Sequence, residues 1–423
     1  MKAILVSQMF PPETAAGAKR AGAMARALHE AFELEVVTVA PSYPDPGLFE
    51  RRAWERSDRE RGIPIQRAAP FRPHDSSLLR RAGREIAMSQ GLIGRAKLRR
   101  GDLLIVSTPS MFLAPLGYLR ARASGARFVW DVRDLTWRYA RESVSPGPLQ
   151  RLLLGGLERV MLAVLRRADL VIAATPGLGD VLLEHGVPRA RMITIPNGVA
   201  RALLDRFATA AAPPAGARPR VSYVGLMGYN HGIGILLDVA RRLPEIDLVL
   251  IGDGPERPEI EQRLRRDGIP NLTLRGYVTD EAELIRAYLA SDVLVNHTKG
   301  APILDRIVNP AKLLEYFASG RPVVYAGAGF AARFLEERDL ALVVPPDDPA
   351  ALAAGIRRVL EEPEVARERG ARARRVVETE FERETQMRAL VAEMRRRFGR
   401  LVGAAVPEDA GEGEQEDAHV ERE

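Results

Sequence analysis

Short runs of apolar residues alternate with longer segments of helical periodicity along most of the chain, beginning with KAILVS at Lys2. A helix from about Gly17 to Ala31 follows, then LEVVTVA, DLLIVST, RFVWDV, DLVIAAT and MITIPN. A second series reads RVSYVG, DLVLIGDG, LTLRGY, DVLVNH, PVVYAG and ALVVP. Runs that are apolar throughout suit strands covered on both faces, and their alternation with helices predicts parallel sheets of the α/β class. Two series predict two doubly wound, Rossmann-like domains, which bind ligands at the carboxyl ends of their strands and so face each other across a cleft. The small-residue and proline stretch FATAAAPPAGARP reads as a linker over 207–219. It separates a first domain at 1–206 from a second at 220–403 that includes the terminal helices. The acidic stretch 404–423 has too few apolar residues to offset ordering entropy, and is expected to be disordered.

The segment NPAKLLEYFASGRPVVYA, from Asn309 to Ala326, reads as loop, helix and strand. Asn309 can cap, Pro310 suits the first helical position, Gly320 suits the left-handed residue past the end, and Pro322 prevents continuation. Lys312 then sits in the first turn, where a cation forgoes about 0.3–1 kcal/mol that an acid would gain. An anion bound at that turn would resolve the misplacement. Glu315 follows three residues later on the same helix face, and a carboxylate accepts well from the two hydroxyls of a ribose diol. An internal Lys312–Glu315 pair is the other reading of the same spacing.

Other turns have the same anion-seeking character. MFPPETAAGAKRAG carries the first strand into a helix near Gly17, with Lys19 and Arg20 in its opening turn. VSYVGLMGYNHGIG places Gly225 and Gly228 after a strand, and His231 before the next helix. No Walker lysine or G-x-G-x-x-G fingerprint occurs there, which argues against a P-loop ATPase and a standard dinucleotide site. A diphosphate held between the domains would satisfy these helix starts together.

Composition narrows the classes. The length of 423 residues suggests two or three domains, and no cysteine is present to support disulfide or thiolate chemistry. The six histidines form no obvious zinc cluster. The formal charge of +6 hides a balance of −7 between Glu408 and Glu423, which leaves +13 on the remainder. Those basic residues are spread over many helices without an aromatic stacking pattern, so nucleic acid is not an expected partner. No segment has the length and apolarity to span a bilayer, and the N-terminal run, broken by Ser7 and Gln8, reads as a strand rather than a signal peptide. SSLLRRAGREIAMSQGLIGRAKLRR, from Ser76, is either an ordinary amphipathic helix or a peripheral contact with an anionic membrane. The expected location is cytoplasmic, with the inner face of the membrane as a further possibility, and nothing in the pattern fixes a subunit number.

The ordered motifs SQMFPPETAAGAKR, VWDVRDLTW, ATPGLGDVLLEHGVP, ITIPNGV, VSYVGLMGYNHGI, LIGDGPERPEIEQ, LRGYV and NPAKLLEYFASGRPVV resemble those of family 4 retaining glycosyltransferases of GT-B fold, particularly the bacterial polysaccharide and O-antigen type. The resemblance runs to about Arg400. It implies a nucleotide sugar in the second domain, with Glu315 on the ribose, Gly225 and Gly228 along the diphosphate, and Gly276, Tyr277 and Val278 beside the base. Gly17 would close over the phosphates from the first domain, with His231 and Lys312 near them. On the acceptor side, Arg133 and Asp134 follow a strand, where Arg133 could stabilise leaving-group charge and Asp134 could orient or deprotonate a hydroxyl. A local ion pair or helix cap is the alternative for these two.

Two departures accompany the resemblance. Ile307 stands eight positions before Glu315, where many relatives carry another glutamate, and His231 stands where a lysine or arginine is common near the glycine turn. Lys312, with Lys299 or Arg306, is a candidate to compensate. The expected reaction is transfer from a UDP- or GDP-sugar to a hydroxyl of a glycan or lipid-linked acceptor. No D-x-D dipeptide is present, so no metal and no cofactor beyond the donor substrate are expected. A catalytically degenerate nucleotide-sugar-binding subunit and a nucleotide-sugar epimerase are the competing readings.

Overall fold

The computed structural model describes residues 1–42, 46–70, 78–138, 148–211, 213, 216–307 and 311–399. The acidic tail and the Asn309–Pro310 start of the lysine helix lie outside these residues. The first sheet contains β1 (Lys2–Ser7), β2 (Glu33–Val39), β3 (Ile65–Ala68), β4 (Leu103–Ser107), β5 (Arg127–Val132), β6 (Leu170–Ala173) and β7 (Met192–Thr194). The second contains β8 (Arg220–Val224), β9 (Asp247–Ile251), β10 (Leu272–Arg275), β11 (Val293–His297), β12 (Val323–Ala326) and β13 (Leu342–Val344). Their orders are β3-β2-β1-β4-β5-β6-β7 and β10-β9-β8-β11-β12-β13. Every pairing is parallel, with Ala3 opposite Leu103 and Val221 opposite Leu248, for example.

Both faces of each sheet are covered, as the continuous apolar runs require. Ile4 and Val6 of β1 face one core of the first domain, whereas Ala3 and Leu5 face the other. This alternation follows from the two-residue period of a strand. In the second domain Tyr223 packs into one core and Val224 into its opposite.

β3 was not among the runs read from the sequence. Its IQRA is half-buried throughout and lies at the sheet edge, so no apolar run marks it. The linker reading also changes at its start: Phe207 ends no domain but belongs to a helix, Arg201–Thr209, and is buried with Leu203 and Leu204 in a second-domain core. The terminal helices divide as well. Pro363–Glu380 stays with the second domain through Ala373 and Val377, whereas Arg383–Phe398 returns to the first and buries Met387, Leu390, Met394 and Phe398 against Ala3 and Leu5. The two chain crossings lie side by side, since Val199 N donates to Phe381 O and Arg383 N to Val199 O, each at 2.9 Å.

Candidate active site

Strand order reverses between β1 and β4 in the first sheet and between β8 and β11 in the second. Crossovers leave such a point in opposite directions, which opens a crevice above the strand ends. Residues following β1 and β8 line one shared cavity of ≈ 510 Å³. Gly17, Arg133, Gly225, His231, Tyr277, Val278, Lys312 and Glu315 all face it. Gly228, Gly276 and Asp134 do not.

Lys312 lies on the short helix Ala311–Ala318, which ends at Gly320 with φ +70. Its Nζ donates to the Tyr223 hydroxyl at 2.5 Å and sits 4.6 Å from the centroid of the same ring. It also lies over the glycine turn, where a Cβ on Gly225 would meet it at 3.1 Å. Gly225 has φ +151, and its carbonyl oxygen is 1.9 Å from where a Cβ on Gly252 would stand, so the two strand ends approach too closely for side chains. Burial in this corner pulls the Lys312 ammonium down to about 7, with Glu256 opposing the shift. His231 is held well below its ordinary value, first by burial and then by Lys312, and its Nδ1 has no hydrogen-bond partner. Lys312 therefore occupies the cationic position over the turn. Lys299 is instead 3.5 Å from Glu256, and Arg306 pairs with Glu184 of the first domain at 2.6 Å.

Glu315 does not pair with Lys312. Its Oε1 accepts from Lys19 Nζ of the first domain at 2.5 Å, and its Oε2 accepts from the Tyr288 hydroxyl at 3.2 Å. Burial works against its charge, but Lys19 and then Arg383 and Tyr288 overcome that penalty and hold the carboxyl below its usual range. A carboxylate offers about four acceptor sites, so two remain for a ligand after these bonds. The Tyr277 hydroxyl bonds Thr14 across the cleft, a second tie between the domains.

On the first-domain side, Arg20 is buried and bonds Asp131 at 2.7 Å, while Ser107 donates to the other Asp131 oxygen at 2.7 Å. These bonds fix the opening helix, Ala16–His29, above β4 and β5. A Cβ on Gly17 would stand 2.0 Å from Arg133 Nη1, so the missing side chain is what admits the guanidinium to the cavity. Asp134 does not line the cavity. Burial raises its pKa despite Arg133, and its Oδ1 has no hydrogen-bond partner. Of the expected acceptor pair only Arg133 lines the cavity, whereas Asp134 accepts a backbone hydrogen bond from Thr136, the local contact that was its alternative reading.

Ile307 is 7% exposed and packs in a core shared with the first domain, and its carbonyl accepts from Thr175 Oγ1 at 3.0 Å. An apolar residue there serves the contact between domains. The three groups that hold the Glu315 charge escaped the sequence reading: Lys19 as its partner, Tyr288, and Arg383 from the terminal helix. Lys19 was visible only as a helix-start cation, and no local spacing links Arg383 to a residue so far upstream.

Paired Rossmann-like domains with a shared cavity at their switch points define the GT-B class of fold. Residues 16–198 match the glycosyl transferase 4-like domain and residues 218–362 match glycosyl transferases group 1. The chain belongs to the glycosyltransferases that join these two domains, and it is an enzyme of the transferase class. It is 25% identical over 418 residues to the Escherichia coli protein WcaI, described as a colanic acid biosynthesis glycosyl transferase, covering 93% of this chain and 100% of that one. Among solved structures, sucrose-phosphate synthase from Thermosynechococcus elongatus superposes with a TM-score of 0.70 at 20% identity, over 95% of this chain and 100% of that one. Anabaena HepE in complex with UDP-glucose gives 0.64 at 17% identity, over 93% and 98%. These likenesses in structure establish the shared fold.

Proposed function

We propose that the protein transfers a sugar, with retention of anomeric configuration, from a nucleoside diphosphate sugar to a hydroxyl of a glycan or lipid-linked acceptor during assembly of a cell-surface polysaccharide. The observation that carries this reading is Lys312 poised over the Gly225 turn, with the Glu315 carboxylate one helix turn away in the same cavity. A diphosphate under Lys312 would put a ribose within reach of Glu315. UDP is the first choice of nucleotide, because HepE of the same fold was solved with UDP-glucose. WcaI supports the polymer class by its name.

In this mechanism the departing diphosphate gathers negative charge, which Lys312 and the start of its helix stabilise more in the transition state than in the ground state. Arg133 adds a cation from the opposite domain. These groups supply the field that a divalent ion would otherwise provide, so turnover is expected to survive a chelator. Ile307 has a packing role between the domains, and a subunit that only binds the nucleotide sugar is distinguished by donor binding without release of the nucleotide with any acceptor.

Thermal unfolding with UDP, GDP, ADP and dTDP tests the proposal. A nucleotide at a hundred times its dissociation constant stabilises by about 2.7 kcal/mol. One nucleotide is expected to raise the transition in the wild type, with the shift lost in Glu315→Ala. No shift with any of them would overturn the reading.

The contact between Gly17 and Arg133 yields a second expectation. Gly17→Ala should displace the guanidinium and lower turnover by roughly tenfold, as Arg133→Ala should. Because both act through one group, the double variant should be no slower than Arg133→Ala alone. Additive losses in steady-state kinetics would contradict this coupling.

A further inference from the structure

We propose that the face built by the helices Leu78–Arg95, Leu113–Ser124 and Pro148–Arg167 docks on the anionic surface of a phospholipid bilayer. The three helices lie on the sheet face opposite the opening helix, packed in sequence against each other, and the shorter helix Pro176–Glu184, with Asp180 exposed and Glu184 paired with Arg306, covers the same core beside them. The three carry four, two and four arginines, and all ten are exposed. The same helices contain two acids, and both are turned inward. Glu85 is 7% exposed and bonds Ser110, while Glu158 pairs with Arg138 at 2.8 Å. The outward face is therefore cationic without an exposed acid on these helices.

Apolar side chains stand among these arginines. Leu119, Leu152, Leu153 and Val160 are 64%, 66%, 59% and 48% exposed. Leu153 and Val160 are two helical turns apart and so share a stripe, as do Leu152 and Arg159. Arginines around protruding leucines match an anionic headgroup layer over an acyl boundary. A nucleic acid would use the cations but leave the leucines unexplained. A second copy of the face would bring ten like charges against ten. Among the described residues no helix is long and apolar enough to cross a membrane, so the contact is peripheral.

Placement links this surface to the lipid-linked acceptor in the proposed reaction. Helices between parallel strands run opposite to them, so the start of Pro148–Arg167 lies toward the carboxyl edge of the sheet. Leu152 and Leu153 are thus on the cleft side, and a bilayer held there would present an acceptor headgroup near the first-domain rim. This last step rests on the proposed transfer reaction, but the docking itself does not.

Vesicle co-sedimentation of the full chain tests the docking without any turnover. The expected result is binding to phosphatidylcholine vesicles containing phosphatidylglycerol and none to phosphatidylcholine alone. Each arginine near such a surface is worth about fivefold in partitioning, so Arg122→Ala with Arg159→Ala should weaken binding by about twenty-five-fold. Leu152→Ser with Leu153→Ser should weaken it severalfold more than its unchanged charge predicts. All four positions are exposed, and circular dichroism and turnover on a soluble acceptor should match the wild type. Absence of binding to the anionic vesicles, or binding indifferent to both pairs, would overturn the proposal. So would a wild type that binds only after truncation at Arg400, which would assign the face to the acidic tail. RNA binding lost with the arginines but untouched by the leucines would assign it to nucleic acid.

Discussion

Lys312→Met is expected to lower kcat by about a hundred- to a thousandfold, the cost of removing one preorganised charge that stabilises a transition state. Methionine keeps an unbranched stem against Tyr223 but places no charge over Gly225, so the fold should persist. The same lysine sets a pH dependence. With its ammonium near 7 in the empty cavity, it is largely neutral at pH 8, and a bound diphosphate would restore the proton. Donor affinity should therefore fall toward tenfold per pH unit as pH rises above about 7, and binding at pH 8 should take up nearly one proton. Calorimetry in buffers of different ionisation enthalpy measures that uptake, which Lys312→Met should abolish. Without ligand the sign of the stability effect is the reverse of the affinity effect. A lysine depressed from 10.5 to about 7 penalises the folded state fully at low pH, and the penalty fades as pH rises between those values.

Glu315→Gln should reduce kcat/KM for the donor by about a hundredfold, or about 2.7 kcal/mol. The carboxylate can accept from both ribose hydroxyls while still bonded to Lys19 and Tyr288, whereas an amide oxygen offers fewer acceptor sites and no charge. The substitution also leaves Lys19 without its partner. A control variant, Lys19→Met, separates the two causes, because it breaks the tie between domains but leaves both acceptor sites for the ribose. The ribose role predicts a much larger loss for Glu315→Gln than for Lys19→Met in steady-state kinetics with the same donor.

Much of this site was legible because its parts follow strands. Continuous apolar runs marked nearly every strand, and the residues just beyond them had to lie at the carboxyl edge, which is why Gly17, Gly225, Lys312 and Glu315 meet in one cavity. Where a residue's role depends on a partner far along the chain, sequence spacing was silent. Lys312 and Glu315 share a helix face, yet one turns to Tyr223 and the other to Lys19. Neighbourhood on a helix permits a pair without enforcing it. The Arg383–Phe398 helix showed an apolar stripe, but a stripe does not name the surface that covers it, and here that surface belongs to the other domain. Asp134 shows the same limit, and its contacts are those of the local ion pair and cap that the sequence also allowed. Its position after β5 was correctly inferred, but the side chain is tied locally, by the charge of Arg133 and a backbone hydrogen bond from Thr136, which the strand pattern does not encode.

On the proposed function, Glu315 holds the ribose of a nucleoside diphosphate in this cavity. Calorimetric titration of UDP and of its 2′,3′-dideoxy analogue into the wild type and Glu315→Gln tests it most directly. Loss of the two hydroxyls is expected to weaken binding to the wild type by roughly a hundredfold and to change binding to Glu315→Gln by little. Equal penalties in the two proteins would contradict it.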